Sequence, residues 1–241
     1  DALIGDLELP TVFAAMAAGD RFLAQIVAQA VPASESETDI ILYRQAILKD
    51  VLRNAQAVRQ LYDLAVEMIE AERRDYLGLL SRYPSWIVRR STKLLETFAR
   101  ALHRLNRFAR DHADTFESEG FTALLAMFRR EFTDEYLAEI NDHLLRLRFQ
   151  EGLLMSAALG EGNAGIDYVL RKQRPPEGSW IRRLFEQSPE GYSYRVPDRD
   201  EGGARALSEL EDRGINSVAN ALGQSVDHIV SFFTMLRTEL A

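Results

Sequence analysis

The chain has no cysteine. Disulfides, thiolate nucleophiles and cysteine-based zinc sites are excluded with it. Basic charge is not in excess either. Lys and Arg number 29 against 37 Asp and Glu, a net charge of −8. A surface given over to coating nucleic acid would be basic, so that class is disfavoured, while local basic patches remain open. No apolar run approaches the ~20 residues that cross a bilayer, and no signal peptide is visible. These absences fit a cytoplasmic protein with no membrane partner. A length of 241 residues with 46% hydrophobic and 27% charged residues is that of a globular chain with a substantial core.

Several catalytic signatures are missing as well. A phosphate-cradling P-loop needs Gly-Lys-Ser/Thr after a glycine-rich turn, and no Gly-Lys pair occurs. The nearest approach to a nucleophile elbow, Gly223-Gln-Ser-Val-Asp227, lacks the second glycine. A di-iron bundle site needs Glu three residues before His on an inward face. The residues three before His103, His112, His143 and His228 are Arg100, Ala109, Ile140 and Ser225. Asp111-His112-Ala-Asp114 falls at a helix end and reads as a solvated polar terminus rather than a metal site. Gly160-Glu-Gly162-Asn-Ala-Gly165 matches the dinucleotide fingerprint in letters only. The chemistry needs a helix N-terminus after the glycines to hold a pyrophosphate. Here a strand-like segment follows, and Glu161 would repel phosphate, so a hairpin turn is the expectation. The chain is therefore expected to have no catalytic residue, bound cofactor or metal of its own.

What is present is helical periodicity. Residues 9–30 read as two short helices around Gly19-Asp20, with Asp20 as an N-cap. A polar loop over 32–39 leads into a helix marked by Ile40, Tyr43, Ile47 and Val51. Asn54 is a candidate cap for the next helix. That helix carries Val58, Leu61, Leu64, Ala65 and Met68 on its buried side and runs to about Leu80, before Tyr83-Pro84 breaks it. With Ser85 as a possible N-cap, Ile87, Ser91, Leu94, Phe98, Ala101, Leu105, Phe108 and His112 then follow a 4-3 spacing, a seam of coiled-coil type. About 28 residues of helix would extend about 42 Å. Glu117-Ser-Glu-Gly120 interrupts, Phe121–Phe132 forms a shorter helix, and Thr133 caps one more.

The period then changes. Gly152–Leu159 and Gly165–Arg171 are short and strand-like. A linker over 172–178, a short helix over 180–187 and a third strand over 191–196 complete a β-containing insert. From about Glu201 the pattern is helical to the end, with Val218, Leu222, Val226, Ile229, Phe233 and Leu236 as a core stripe and Gly214 as a candidate kink. The expected fold is mainly α: an elongated antiparallel helical bundle with long lever helices and a small β-hairpin-containing insert. Its parts are a helical core with outgoing helices over 1–148, the insert over 149–198, and a returning helix over 199–241. Met235–Ala241 holds no Gly, Pro or Asn to stop that helix, and the chain opens on Asp1 rather than Met. The expectation is a piece of a longer protein whose chemistry lies beyond Ala241.

Two basic groups stand out. The helix over 85–112 carries Arg89, Arg90, Lys93, Arg100, Arg104, Arg107 and Arg110, of which Arg100, Arg104 and Arg107 share a face. That face serves either phosphate or, more ordinarily, pairing with the acidic rest of the protein. Arg171, Lys172, Arg174, Arg182 and Arg183 lie in or beside the insert and are the candidate nucleic-acid contacts.

Tyr43-Arg-Gln-Ala-Ile47-Leu-Lys-Asp50 resembles the start of the helical core in MutS-related ATPases. Asp6–Phe13 with Ala18-Gly-Asp20 does so too. Leu207-Ser-Glu-Leu-Glu-Asp-Arg-Gly-Ile-Asn216, continued through Ser231–Ala241, resembles the helix that leads into their ATPase domain. The resemblance implies a core and lever region that couples ATP-driven motion to DNA engagement in a DNA-repair ATPase. It also implies an ATPase with ATP and Mg beyond Ala241, a homodimer formed through that domain, and an insert at the place of the DNA clamp. The insert is small for a full clamp. The rival expectation is a helical scaffold that binds protein partners with no ATPase attached.

Overall fold

The computed structural model describes residues 2–74, 84–147, 155–161, 165–170 and 201–241. The short helix over 180–187, the third strand over 191–196 and the continuation of a helix to Leu80 lie outside them. The described residues are mainly helical. Helices α1 (Ala2–Asp6), α2 (Leu9–Ala17) and α3 (Arg21–Ala30) come first. They are followed by α4 (Thr38–Arg53), α5 (Ala55–Arg74), α6 (Pro84–Asp111), α7 (Glu119–Glu131) and α8 (Asp134–Arg146). Strands β1 (Met155–Leu159) and β2 (Gly165–Leu170) precede α9 (Glu201–Glu239).

The chain divides into two units. The first comprises Asp1–Tyr76, Lys93–Leu145 and Ser225–Ala241, the second Leu77–Thr92 and Arg146–Gln224. Helices α6 and α9 contribute residues to both.

The first unit is built around aromatic and leucine side chains from five helices. Phe98 of α6 and Phe233 of α9 are both fully buried, with ring centroids 5.9 Å apart. Phe232 meets Phe132 edge-on at 5.6 Å and Phe128 at 6.5 Å, which ties α9 to α7. Edge-to-face pairs suit the ring quadrupole and add to the area buried. Leu61, Leu64 and Met68 of α5 and Leu137 of α8 close the core. The apolar positions expected along α5 are all buried, and so is the middle of the α6 seam from Ser91 to Leu105.

Helix boundaries follow local chemistry, with two corrections. Asp20 caps α3 as expected, accepting from the amides of Phe22 and Leu23 at 2.7 and 3.4 Å. Ala18 and Gly19 both have left-handed φ, 47° and 86°, and so end α2 and turn the chain toward Asp20. Thr133 Oγ1 accepts from the Tyr136 amide at 3.2 Å and caps α8. Asn54 does stand just before α5, its carbonyl accepting from the Val58 amide at 3.1 Å. It also closes the C-terminal end of α4, however, and its side-chain amide donates to the Thr115 carbonyl at 3.3 Å instead of capping α5. The long-range bond ties the junction of α4 and α5 to the loop before α7. Nor does α6 open after Pro84: Pro84 is its first residue. Proline suits that place because its fixed φ is helical and the amide it lacks would have no partner there.

In the second unit β1 and β2 pair antiparallel as a hairpin. Ser156 pairs with Val169 and Ala158 with Ile166, so one residue on β1 faces two on β2. Asp167 takes up the extra residue with φ 52°, a left-handed conformation that aspartate tolerates better than most side chains. Helix α9 runs without a break through Gly214.

Candidate functional site

The first unit contains two polar knots, both centred on an aspartate. Asp50 lies on α4 among Tyr43, Ile47 and Asn54, the face turned to α7. It is only 2% exposed. Its carboxylate accepts from the Ser118 amide at 2.7 Å and from the Glu117 amide at 3.0 and 3.2 Å. Ser118 is the N-cap residue of α7 and makes no cap bond with its own side chain. Asp50 thus performs the capping from another helix, placing negative charge where free amides and the helix dipole favour it. Burial alone would raise its pKa. The Ser118 and Glu117 amides and the Arg53 charge outweigh burial and hold the carboxyl below its ordinary value. Gly120, the second residue of α7, lies in the same contact. A Cβ there would stand 2.8 Å from Tyr43 Oη and 2.9 Å from Ile47 Cδ1, so the close approach of α4 and α7 needs glycine.

The second knot joins α3, α5 and α9. The Tyr62 hydroxyl donates to Asp20 Oδ2 at 2.8 Å. Arg237 Nη2 reaches both Asp20 oxygens at 3.3 Å, and its Nε donates to Tyr62 Oη at 3.2 Å. The guanidinium carbon lies 3.9 Å from the centroid of the Phe22 ring. Burial again pushes the Asp20 pKa up, but Tyr62, the two α3 amides and Arg237 hold it below its ordinary value. Tyr62 is displaced upward, chiefly by burial, with the Asp20 bond adding to it against the Arg237 donor. Sequence reasoning found Asp20 as a cap but missed Asp50, Tyr62 and Arg237. The available signal was a charged residue on an otherwise apolar helix face in two cases: Asp50 three residues after Ile47, and Arg237 four after Phe233.

The arginine face of α6 is largely engaged within the protein. Arg104 pairs with Glu67 of α5 at 2.8 Å and Arg110 with Asp134 of α8 at 2.8 Å, while Arg100 donates to Thr97. Two shallow grooves flank it. One, of about 370 Å³, runs along α5 and includes Asp63, Glu67, Arg107 and His112. The other, of about 400 Å³, includes His103, Asn106, Arg107, Arg110 and Asp134. Asn106 Oδ1 is buried there with no partner among the described residues. Each groove sets carboxylates beside its arginines, which supports pairing over a phosphate stripe. Arg171, Lys172, Arg174, Arg182 and Arg183, the candidate nucleic-acid contacts, all lie outside the described residues.

Among the described residues no group of three or more His, Asp or Glu is placed to hold a metal ion. None of their helices is long and apolar enough to cross a membrane. The polar knots fasten helices to one another. They hold together a helical first unit, while the second contains the β1–β2 hairpin. Residues 36–241 match the MutS2 N-terminal domain, and the chain belongs to that family. No curated protein and no solved structure matches it.

Proposed function

We propose that this chain is the core and connector region of a MutS-like DNA-repair ATPase. It passes ATP-driven movement to the part that engages DNA and performs no chemistry itself. The observation that carries the reading is α9. It is a single helix of 39 residues, about 58 Å long at 1.5 Å per residue. Its last turn is fastened by Arg237 and its stripe packs through Phe233 and Leu236. A continuous hydrogen-bonded helix is stiff enough to transmit a displacement over that distance. In this reading ATP and Mg bind an ATPase domain beyond Ala241, which also forms the homodimer. DNA is reached through the insert, with Arg171, Lys172, Arg174, Arg182 and Arg183 as contacts.

The test is made on the longer protein that carries this domain. Gln224 is exposed within α9, and Gln224→Pro would kink or break the helix there. DNA-stimulated ATP turnover should fall to the basal rate while basal turnover persists. Stimulation equal to wild type would sink the connector role. Charge reversal at Arg171, Lys172 and Arg174 should weaken DNA binding and flatten its salt dependence; unchanged binding removes the insert from the contact surface.

One observation favours a second reading, a scaffold for protein partners. Leu42, Leu48 and Leu52 of α4 are all exposed, Leu52 at 72%. A protein that binds no DNA at low salt and hydrolyses no ATP would support the scaffold.

A further inference from the structure

We infer that the segment before Ser36 is a clasp on the C-terminal turn of α9. This segment precedes the matched family region and forms α1, α2 and α3. Its ionic link to α9 is concentrated at the start of α3. Asp20 receives donors from three helices: the Phe22 and Leu23 amides of α3, the Tyr62 hydroxyl of α5 and the Arg237 guanidinium of α9. Phe22 supplies the second half of the grip, an aromatic face 3.9 Å from the same guanidinium. A cation held between a carboxylate and a ring is fixed in direction as well as in charge. Arg237 also lies in the last turn of α9, where a cation favours the helix dipole.

The arrangement couples two helix ends. Asp20 is both the cap of α3 and the counter-ion of Arg237, so the start of α3 and the end of α9 share one carboxylate. Loss of Arg237 leaves Asp20 with less to hold it in capping geometry. Loss of the α3 cap withdraws the carboxylate and ring that hold α9. Any event that lifts the segment before Ser36 therefore frees the last turn of α9, and any pull on α9 loosens α3. The consequence for ATP coupling rests on the connector reading. The clasp itself is a statement about local opening and is tested without ATP or DNA.

The experiment is hydrogen exchange on the 241-residue chain, read at the amides of 22–25 and of 233–239. Arg237→Gln removes the charge at one end and leaves the α3 cap in place. Asp20→Asn keeps a capping oxygen for α3 but removes the anion. Each should raise exchange about tenfold at both ends, the size expected for a partly exposed charged hydrogen bond. The double variant should exchange no faster than the faster single one, because both changes open one device. Arg237→Lys keeps the charge but loses the simultaneous reach to Asp20 and Tyr62 and the stacking, and should fall between wild type and Arg237→Gln. If Arg237→Gln speeds exchange in α9 while the first turn of α3 stays fully protected, there is no clasp. Additive effects in the double variant would likewise rule the clasp out. Failure of the connector reading would leave these exchange results intact.

Discussion

The Asp50 carboxylate accepts a 2.7 Å hydrogen bond from the amide of Ser118, 68 residues further along the chain. One side chain of α4 thereby closes the amide end of α7, and the pairing fixes where α7 begins. Local capping would have set only the start of a helix. Capping from another helix also sets the position of α7 against α4, beside the site where Gly120 admits Tyr43 and Ile47.

Asp50→Ala should be one of the more damaging single changes in the first unit. It removes a charged acceptor and leaves the buried Ser118 amide and the part-buried Glu117 amide unpaired. The expected cost is about 3 kcal/mol, read as a lowered urea midpoint. Asp50→Asn, which retains one oxygen, should cost less. A loss within error of zero for Asp50→Ala would show that water replaces the carboxylate without penalty.

The acid limb of stability follows from Asp20 and Asp50. Both carboxyls are held below their ordinary values in the fold. Each therefore contributes stability that is present above the unfolded pKa of about 3.9. It is lost as pH falls through the lower folded value. The urea midpoint should be level from neutral pH down to about 5 and drop below about 4. Tyr62 works in the opposite sense, because its pKa is raised in the fold. Its contribution is present below an unfolded pKa of about 10 and is lost as pH rises past the folded one. In Asp50→Asn the acid limb should be shallower than in wild type.

These knots were the least legible part of the chain, and the reason is physical. The apolar positions of α5, α6 and α9 repeat at helical spacing, so burial of Leu61, Leu94, Phe98 and Phe233 could be read from the sequence. The hairpin was legible from its glycine-rich turn and the change of period. The stripe expected along α4 was less faithful: Ile40 and Tyr43 remain partly exposed while Asp50 is buried. Periodicity ranks residues by hydrophobicity, and a buried carboxylate scores as surface. Its burial depends on amides brought from residues 117 and 118, a tertiary fact with no local trace. Arg237 was hidden in the same way, since its partners Asp20 and Tyr62 are 217 and 175 residues away.

Gly120→Val tests how tightly α4 and α7 approach. The new Cβ would meet Tyr43 Oη and Ile47 Cδ1 at under 3.0 Å. Valine also gains little in helix propensity to offset the clash. The expected loss is about 1–3 kcal/mol. Ile47→Ala in the same chain should cost less than it does alone, since it opens the space the new methyls need. Strict additivity of the two changes would mean that Ile47 is not the neighbour that gives way.

Neighbouring positions on α9 give the sharpest contrast. Phe233 is fully buried against Phe98 and Phe232, whereas Met235 is 67% exposed. Both are large apolar residues of one helix, so propensity changes on mutation to alanine are similar and small. Burial alone separates them. Phe233→Ala should cost about 3–5 kcal/mol, the transfer loss plus the cavity it leaves. Met235→Ala should stay within about 0.5 kcal/mol of wild type. Thermal unfolding of the two variants side by side reads the difference. Equal losses would mean that the face assigned to the core of the first unit is not the one that α9 buries.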